Sequence, residues 1–245
     1  MSNKQWLQAP QNEYGQQLIA AQPVNYSAQI KVRAGSQRAV VNASALAIER
    51  EGRRLIQPFD LTINAGDVIG IAGPSGCGKS TLGDTLLKLL APASGQVEHC
   101  YHQQSLRYQK LYQDPVATFP SDITLQYQLQ AFIKRHRLET TALPALLDRL
   151  QLSTDTLTRS AQSVSGGELQ RFSLLRILLL EPLFLFADEP TSRLDVVTQR
   201  QTIDLLLDIA RQKKCGMLLV SHNKALLEKT CSRIFSVVDY CLIES

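Results

Sequence analysis

Short apolar runs recur along the chain from about residue 68 onward, and polar or turn-forming residues separate them. The runs at 68–72, 183–187 and 216–220 are almost continuously apolar, a pattern typical of parallel strands that are covered by helices on both faces. A last apolar run at 234–238 has the same character. These runs predict the strands of a parallel sheet.

Stretches with helical periodicity alternate with these strands. They extend from residue 79 to about 90, from 196 to about 211, and from 224 onward. Alternation of strands and helices is typical of βαβ units in a parallel sheet. The chain is therefore predicted to adopt an α/β fold with a mostly parallel sheet.

Two segments before the first of these strands have a different pattern. Residues 40–48 and 55–63 alternate or cluster apolar residues, and Glu51-Gly52-Arg53 joins them, which predicts an antiparallel β-hairpin at the edge of the fold. Further strands are expected near 96–100 and 106–112, after a segment in which Pro and Gly end the preceding helix.

The spacing of apolar residues becomes helical between 122 and 180, where Leu125 and Leu129 fall on one face. This predicts a helical subdomain inserted at about 122–180. Residues 1–39 are rich in glutamine and show no sustained period. They are interpreted as an N-terminal extension that precedes a domain at 40–245.

The composition of the chain argues against several classes of protein. The 245 residues suit one large α/β domain, and the formal net charge of +4 is too mild to indicate a nucleic-acid surface. The five cysteines form no Cys-x-x-Cys pair, which argues against structural zinc or a disulfide framework. The His and Cys residues of 99–102 are interpreted as a solvated strand end and not as a metal site.

No membrane-targeting segment is expected. The N-terminus is polar, and the most apolar region, 172–187, is interrupted by Arg176 and by Glu181-Pro182. Any connection to a membrane is therefore expected to come through a partner.

A glycine-rich segment lies between the 68–72 strand and the helix after it. It matches the pattern G-x-x-x-x-G-K-[ST], whose glycines let successive backbone N–H groups surround an anion at a helix N-terminus. Lys79 is expected to reach the β- and γ-phosphates of a nucleotide, and the Ser80 hydroxyl to bind Mg²⁺. The predicted nucleotide-binding residues of this loop are Gly73, Pro74, Ser75, Gly76, Cys77, Gly78, Lys79, Ser80 and Thr81.

Asp188 and Glu189 follow the 183–187 strand, at the carboxyl end where α/β folds place ligands. Asp188 is predicted to hold Mg²⁺ through its water shell, and Glu189 to polarise the water that attacks the γ-phosphate. The alternative is that the two carboxylates only cap the next helix. The phosphate loop favours the catalytic interpretation, because phosphoryl transfer needs both a metal carboxylate and a group that orients water.

Further segments complete a resemblance to a known family. They are Tyr112-Gln113-Asp114-Pro115, Ser165-Gly166-Gly167-Glu168-Leu169-Gln170-Arg171, Pro190-Thr191-Ser192-Arg193-Leu194-Asp195 directly after Glu189, and Ser221-His222. With the phosphate loop, they resemble the motifs of ABC-type ATPases in the right order, over about residues 40 to 240. The contexts of Gln113 and Asp188 look more narrowly like the ATP-binding subunits of oligopeptide, dipeptide and nickel importers. The resemblance implies a P-loop NTPase fold, with an antiparallel β edge and an inserted helical subdomain beside the mostly parallel sheet.

The Ser165-Gly166-Gly167 segment precedes a long helix, whose N-terminus can receive a phosphate. By the resemblance, these residues and Glu168 contact ATP that is held by the phosphate loop of a second protomer, so that ATP closes a head-to-tail dimer with two composite sites. Alone, Ser-Gly-Gly before a helix would more often be an ordinary N-cap. Asp195 would shape the partner's site, or simply cap the helix after it.

The resemblance also assigns roles to Gln113 and His222. Gln113 would contact Mg²⁺ and the attacking water and report the nucleotide state to the helical subdomain, and the neutral imidazole of His222 would hydrogen-bond the γ-phosphate. The predicted catalytic residues are thus Glu189, His222 and Gln113. The predicted metal-binding residues are Ser80, Gln113 and Asp188.

Four positions depart from the family pattern. Arg50 lies near the position of the aromatic residue that usually stacks on adenine, and its guanidinium plane could stack instead. Val164 and Glu168 replace a Leu and a Gln of the signature motif, which are mild changes. Arg193 places a bulky cation where two protomers should meet, which favours a different partner chain over a homodimer.

The function implied is that of an ATP-binding subunit that uses ATP and Mg²⁺ to drive uptake of a small solute, such as a peptide, nickel or a metal chelate. Its expected partners are a second ATPase subunit, two transmembrane permease subunits and, indirectly, a substrate-binding protein; no nucleic acid is expected. The subunit would lie peripherally at the cytoplasmic face of the inner (plasma) membrane. An alternative is a soluble ABC ATPase that acts on ribosomes or DNA, although such proteins usually carry two cassettes or a long coiled coil. A module that has lost turnover is disfavoured by Lys79, Glu189 and His222.

Overall fold

The computed structural model describes residues 38–101, 106–192 and 194–244. The smaller of its two sheets contains β1 (Ala39–Arg50), β2 (Arg53–Asn64) and β4 (Ser94–His99). These strands are antiparallel, in the order β2–β1–β4. The predicted hairpin is confirmed, and β4 adds to its β1 edge.

The larger sheet has six strands within the described ranges. They are β3 (Val68–Ala72), β5 (Tyr108–Leu111), β6 (Phe184–Asp188), β7 (Gly216–Val220), β8 (Arg233–Val238) and β9 (Cys241–Glu244). Their order is β5–β6–β7–β3–β8–β9, and every neighbouring pair is parallel except β8 and β9. The predicted mostly parallel sheet is confirmed, and β3 and β7 have the predicted bounds.

The parallel strands separate two hydrophobic cores, one on each face of the sheet. Leu185 and Met217 belong to the core that includes the inserted helices, whereas Phe186 and Leu218 belong to the core shared with the antiparallel sheet. Because both faces are buried, nearly every position of these strands must be apolar. This explains the continuous apolar runs in the sequence.

Seven helices are described. They are α1 (Lys79–Leu86), α2 (Leu125–His136), α3 (Leu143–Arg149), α4 (Thr154–Thr158), α5 (Gly166–Leu179), α6 (Val196–Lys213) and α7 (Lys224–Thr230). The four helices α2 to α5 lie between β5 and β6 in the chain, so the predicted 122–180 segment is helical. In α2, Leu125 and Leu129 are buried, as its apolar period predicts, while Lys134 and Arg135 are exposed.

The sequence predicts that helix α1 extends to about residue 90, but the helix ends at Leu86. Lys88 has a φ of 60°, in the left-handed region, and this turns the chain out of the helix. The N–H groups of Leu89 and Leu90 both donate to the Asp84 carbonyl oxygen, at 2.9 and 3.3 Å. The two leucines continue the apolar period of the sequence but are exposed, so the period overestimates the length of the helix.

The sequence predicts that the run at 234–238 forms the last strand, but β9 follows it. Asp239 and Tyr240 form the turn between β8 and β9, and both have positive φ, 47° and 63°. A bidentate ion pair joins the strands, with Arg233 Nε 2.7 Å and Nη2 2.9 Å from the carboxylate of Glu244. These contacts hold a short edge strand that its sequence alone does not reveal.

The interpretation of His99 as part of a solvated strand end is wrong. Its side chain is buried, its ring stacks on Tyr108 with 3.7 Å between centroids, and its Nε2 lies 2.8 Å from the carbonyl oxygen of Leu86. His99 therefore helps to pack β4 against α1 and β5.

Some expectations concern residues outside the described ranges. These are the N-terminal extension up to residue 37, His102, and Arg193 in the predicted dimer contact. Within the part of the chain that the structure describes, no helix is long and apolar enough to cross a membrane.

Candidate nucleotide site

The loops that carry the predicted chemistry leave one edge of the large sheet. β3 leads into the phosphate loop, β5 leads to Gln113, β6 ends at Asp188, and β7 leads to His222. These four strands are consecutive parallel neighbours, in the order β5–β6–β7–β3. Their carboxyl ends therefore lie side by side, where open α/β sheets bind ligands.

The phosphate loop turns at glycines with positive φ. Gly73, Gly76 and Gly78 have φ values of 147°, 79° and 103°, which side chains rarely adopt. Gly78 must also be small, because a Cβ atom there would lie 2.9 Å from the Cβ of Leu55 in β2. A Cβ at Gly76 would meet no described atom within 4 Å. The loop therefore packs against β2 on one side and is open on the other.

Lys79 begins α1, and its side chain is buried in the loop. Its Nζ atom donates hydrogen bonds to the carbonyl oxygens of Gly73 at 2.9 Å and Pro74 at 2.8 Å. An anion in the loop would meet this charge together with the N-terminus of α1. The loop thus has the donors that a phosphate requires.

Asp188 at the end of β6 meets the start of α1. Its side chain is 11% exposed and hydrogen-bonds with the Ser80 hydroxyl. Burial raises the pKa of the Asp188 carboxyl above its usual value, and the charges of Glu189 and Asp84 raise it further. The Ser80 hydrogen bond and the nearby Lys110 ammonium oppose this rise.

The donor set fits Mg²⁺. The Ser80 hydroxyl, the Asp188 carboxylate and the side-chain carbonyl of Gln113 are hard oxygen ligands, which Mg²⁺ prefers. Ser80 and Asp188 already touch, so an ion beside them would lie next to a phosphate in the loop. Such an ion would take its other ligands from the oxygens of phosphate and water.

Glu189 is held between Gln113 and His222. Its Oε1 atom lies 2.6 Å from His222 Nε2, and its Oε2 atom accepts a hydrogen bond from Gln113 Nε2 at 3.2 Å. Gln113 Nε2 also donates to Ser192 Oγ at 3.2 Å. Glu189 has a φ of 45°, and its N–H donates to the carbonyl of Val220 in β7. The three predicted catalytic residues therefore form one cluster.

This cluster and the phosphate loop line a single cleft of about 660 Å³. Six residues of the loop face it, Ser75, Gly76 and Gly78 to Thr81, whereas Cys77 packs against the core. The turn between β1 and β2 forms the remaining wall with Arg50, Glu51, Arg53 and Leu55. Among the described residues that line the cleft, none is Phe, Tyr or Trp.

The tip of α5, at Ser165, is not among the described residues that line this cleft. Ser165 and Glu168 form a capping box, in which Glu168 Oε2 accepts from the Ser165 N–H and hydroxyl, both at 2.8 Å. Glu168 Oε1 accepts from Thr156 Oγ1 and Arg159 Nη2, both at 2.9 Å. The Ser165 N–H bond is the main reason that the pKa of Glu168 falls to about 2. Within one chain, Glu168 therefore stabilises the tip of α5 and does not reach the cleft.

Asp195 caps α6. Its Oδ1 atom accepts from the N–H groups of Val197 and Thr198, at 3.0 and 3.1 Å, and its Oδ2 atom accepts from the Thr198 hydroxyl at 2.6 Å. The bonds from Thr198 lower the pKa of the Asp195 carboxyl. The capping role is thus observed, while a contact with a partner's site stays a prediction.

A second cavity, of about 300 Å³, lies between β5 and the inserted helices. The guanidinium carbon of Arg176 lies 4.4 Å from the ring centroid of Phe132 and 5.2 Å from that of Phe119. Burial lowers the pKa of Arg176, and its Nε has no hydrogen-bond partner among the described residues. Lys110 and Tyr112 line the cavity too, which gives this groove a cationic and aromatic wall beside Gln113.

Some residues of the site have no role that the sequence predicts. Ser192 accepts from Gln113, and Arg53 and Leu55 line the cleft, but these contacts depend on how separate segments fold together. Lys110 lies 4.0 Å from Asp188. Its only signal in the sequence is its place three residues before Gln113, in a predicted strand.

The chain is similar to known ATP-binding proteins. The family model described as "ABC transporter" matches residues 56–192. A putative peptide import ATP-binding protein of Brucella ovis is 34% identical over 199 residues, which cover 74% of this chain and 62% of that protein. The nickel import system ATP-binding protein NikE of Staphylococcus aureus is 32% identical over 196 residues, covering 78% of this chain and 82% of that protein.

The fold is shared with solved structures as well. One is a dimeric, post-hydrolysis state of an ATP-binding cassette bound to ADP and Pi, with a TM-score of 0.70 and 20% identity. The alignment covers 84% of this chain and 97% of that one. At this identity the likeness shows the α/β fold of the cassette.

Proposed function

The chain belongs to the ABC transporter family, and on this premise we propose that it is the ATP-binding subunit of an importer, which hydrolyses ATP to drive the uptake of a small solute. Relatives named for peptide import and for nickel import support this proposal. The chain spans 62% of the length of the Brucella relative, so a peptide, nickel or a metal chelate is proposed as the solute on this resemblance alone.

One observation carries the proposal of ATP hydrolysis. The Glu189 carboxylate, held by His222 and Gln113, faces the same cleft as the Lys79 loop. A water molecule between that carboxylate and a phosphate in the loop would be placed for attack on the γ-phosphorus. Binding and water activation thus need no further element from the same chain.

The residues act as follows. The N–H groups of the loop and Lys79 bind the β- and γ-phosphates. Ser80, Gln113 and Asp188 would hold Mg²⁺, which would supply positive charge to neutralise the phosphates. Glu189 accepts hydrogen bonds and so orients and polarises the attacking water. His222 and Gln113 fix the Glu189 carboxylate and contact the γ-phosphate side of the cleft. Arg50 and Arg53 are left to contact the base and ribose.

We further propose that two ATPase subunits share each nucleotide. The Ser165 tip of α5 has the form of a phosphate site but lies outside its own chain's cleft. A head-to-tail dimer would bring this tip, with Gly166 and Gly167, to the ATP of a second subunit. The related cassette was captured as a dimer with ADP and Pi. A second, different ATPase chain remains the proposed partner.

Transport requires membrane partners. The groove around Arg176, Phe119 and Phe132 adjoins Gln113, so an occupant of the groove and the nucleotide would affect each other through β5. We propose that permease subunits dock there and hold the protein at the cytoplasmic face of the membrane. A soluble ABC ATPase that acts on ribosomes or DNA is not favoured, because these relatives are named for import.

Binding and hydrolysis of Mg-ATP by the purified chain test the proposal. Lys79→Ala should weaken ATP binding about 10- to 100-fold, because it removes a charge-assisted contact to phosphate. Lys134→Ala, on the exposed face of α2, is the matched control and should bind as the wild type does. A wild-type chain with no affinity for Mg-ATP would contradict the proposed function. Neighbouring genes for permeases and a substrate-binding protein would support import.

A further inference from the structure

A cation that no motif predicts lies beside the proposed metal site. Lys110, in β5, has only 11% of its side chain exposed. Its Nζ atom lies 2.6 Å from Asp84 Oδ1, in α1, and 4.0 Å from Asp188 Oδ2, at the end of β6. Three segments that are distant in sequence therefore place one ammonium between two carboxylates.

The two distances show that Lys110 interacts differently with the two carboxylates. At 2.6 Å, Asp84 makes a charge-assisted hydrogen bond with Lys110, whereas at 4.0 Å Asp188 does not. Asp188 instead hydrogen-bonds with Ser80, the other proposed metal ligand. Asp84 thus binds the Lys110 ammonium, and the Asp188 carboxylate remains hydrogen-bonded to Ser80.

The surroundings hold Lys110 in this position. The Nζ atom lies 5.0 Å from the ring centroid of Tyr112 and 5.2 Å from that of Phe186. Phe186 is fully buried, and Asp84 has 23% of its side chain exposed. Because little solvent surrounds the Lys110 ammonium, its charge has to be compensated by a nearby carboxylate. Asp84 and Asp188 compete for this role.

We propose that Asp84 and Lys110 form a positioning pair, in which Asp84 holds the Lys110 ammonium away from Asp188 and thereby sets the affinity of the Ser80–Asp188 site for Mg²⁺. This proposal rests on the proposed function, because it concerns the metal that accompanies ATP. Replacing Asp84 and replacing Lys110 should therefore change the affinity for Mg²⁺ in opposite directions. Without the Asp84 charge, the ammonium is free to turn to Asp188 and repel the metal. Without Lys110, the site loses a positive charge and gains the uncompensated charge of Asp84.

The experiment compares the affinity for AMP-PNP, a non-hydrolysable ATP analogue, in excess Mg²⁺ and in EDTA, by calorimetry. The ratio of the two affinities measures what the metal contributes. Asp84→Asn should lower this ratio about 5-fold, and Lys110→Met should raise it by a similar factor, as expected for one charge at this distance in partly screened surroundings. The double variant D84N/K110M, which removes both charges, should return the ratio towards the wild-type value. Asp84→Glu, which keeps the pair, should resemble the wild type.

An ion pair elsewhere is the matched control. Arg149 Nη2 lies 3.1 Å from Asp208 Oδ2, and neither residue is among those that line the cleft. Arg149→Met and Asp208→Asn should leave the ratio unchanged. The melting temperature of each variant is measured in parallel, because a merely structural pair would lower stability without changing the ratio.

The outcomes separate this proposal from the proposed function. If the wild-type chain fails to bind AMP-PNP at all, the proposed function is wrong. If the wild type binds with a clear metal dependence but both single variants leave the ratio unchanged, or shift it in the same direction, only the positioning pair is overturned. If Asp84→Asn does not fold, the direction of the Lys110→Met shift and its reversal in the double variant decide.

Discussion

The Nε2 atom of His222 lies 2.6 Å from the Oε1 atom of Glu189, and the two residues come from the ends of neighbouring strands, β7 and β6. This contact fixes one oxygen of the carboxylate, while Gln113 holds the other. A base fixed at both oxygens is preorganised, so little reorganisation is needed when water binds. The position of Glu189 therefore depends on both His222 and Gln113.

Replacing Glu189 with Gln should lower ATP hydrolysis about 10²- to 10⁴-fold, because an amide keeps the shape of the side chain but does not accept a proton. ATP binding should remain, because the loop around Lys79 is unchanged. The variant should therefore accumulate as an ATP-bound dimer. Steady-state phosphate release measures the first effect, and sedimentation with Mg-ATP measures the second.

His222→Ala provides the comparison for Glu189→Gln. It leaves the base in place but removes one of the two groups that hold it, so turnover should fall less steeply than in Glu189→Gln. Wild-type turnover in Glu189→Gln would show that another group activates the water. In that case, the contact between Glu189 and His222 would be structural.

Helix α1 packs so closely on β6 that Gly83 cannot be replaced. A Cβ atom at Gly83 would lie 2.2 Å from carbon atoms of the Phe186 ring, which is fully buried. Gly83→Ala should destabilise the fold by at least about 2 kcal/mol through overpacking. At this chain length, about 2 kcal/mol corresponds to a fall of about 4–8 °C in Tm. Differential scanning calorimetry measures the change.

Gly166 is the matched control for this effect, since it too is helical but a Cβ there would meet no described atom within 4 Å. Gly166→Ala should leave Tm unchanged or raise it, because alanine favours helix by about 1 kcal/mol over glycine. Equal Tm values for the two variants would mean that α1 and β6 are not in such close contact.

The base end of the cleft should depend on Arg50. Its side chain is 67% exposed on the cleft wall, where its planar guanidinium can stack on a base. Arg50→Ala should weaken ATP binding about 3- to 10-fold, and Arg50→Tyr should preserve it, because either side chain can stack. Calorimetric titration with ATP and with GTP measures affinity and base selectivity.

Arg54→Ala is the control for Arg50, because Arg54 pairs with Glu49 at 3.2 Å and is not among the residues that line the cleft. Its affinity for ATP should equal that of the wild type. Unchanged affinity in Arg50→Ala would assign the base to another part of the wall, such as Arg53.

The parts of the fold that the sequence predicts well are those with a local signal. β3 and β7 have their predicted bounds because their side chains are buried on both faces and are nearly all apolar. The conformation of the phosphate loop follows from its glycines, whose positive φ values are a property of single residues.

The parts that the sequence does not predict depend on contacts between distant segments. β9 begins after Asp239-Tyr240, a pair without the Asn-Gly signal that marks most such turns, and Arg233 holds it through Glu244. The contact between Lys110 and Asp84 joins β5 to α1, which no local pattern specifies. The clustering of Gln113 with Ser192 likewise requires the order of strands in the sheet.

The Glu168 carboxylate should make the stability of the tip of α5 depend on pH. Its pKa is lowered to about 2 in the folded chain from a usual value of 4.5, first by the hydrogen bond from the Ser165 N–H. A lowered pKa means that the folded chain holds the carboxylate more favourably than the unfolded chain does, so the stabilisation is present above pH 4.5 and is lost as pH falls towards 2. Glu168→Gln, which can make only part of this network, should therefore be less stable than the wild type at pH 7, by about 1–2 kcal/mol. The difference should be nearly constant above about pH 5 and should shrink as the pH is lowered from about 5 to about 3. Urea unfolding of both proteins across this range measures it, and a difference that stays constant with pH would show that the charge of Glu168 does not stabilise the tip.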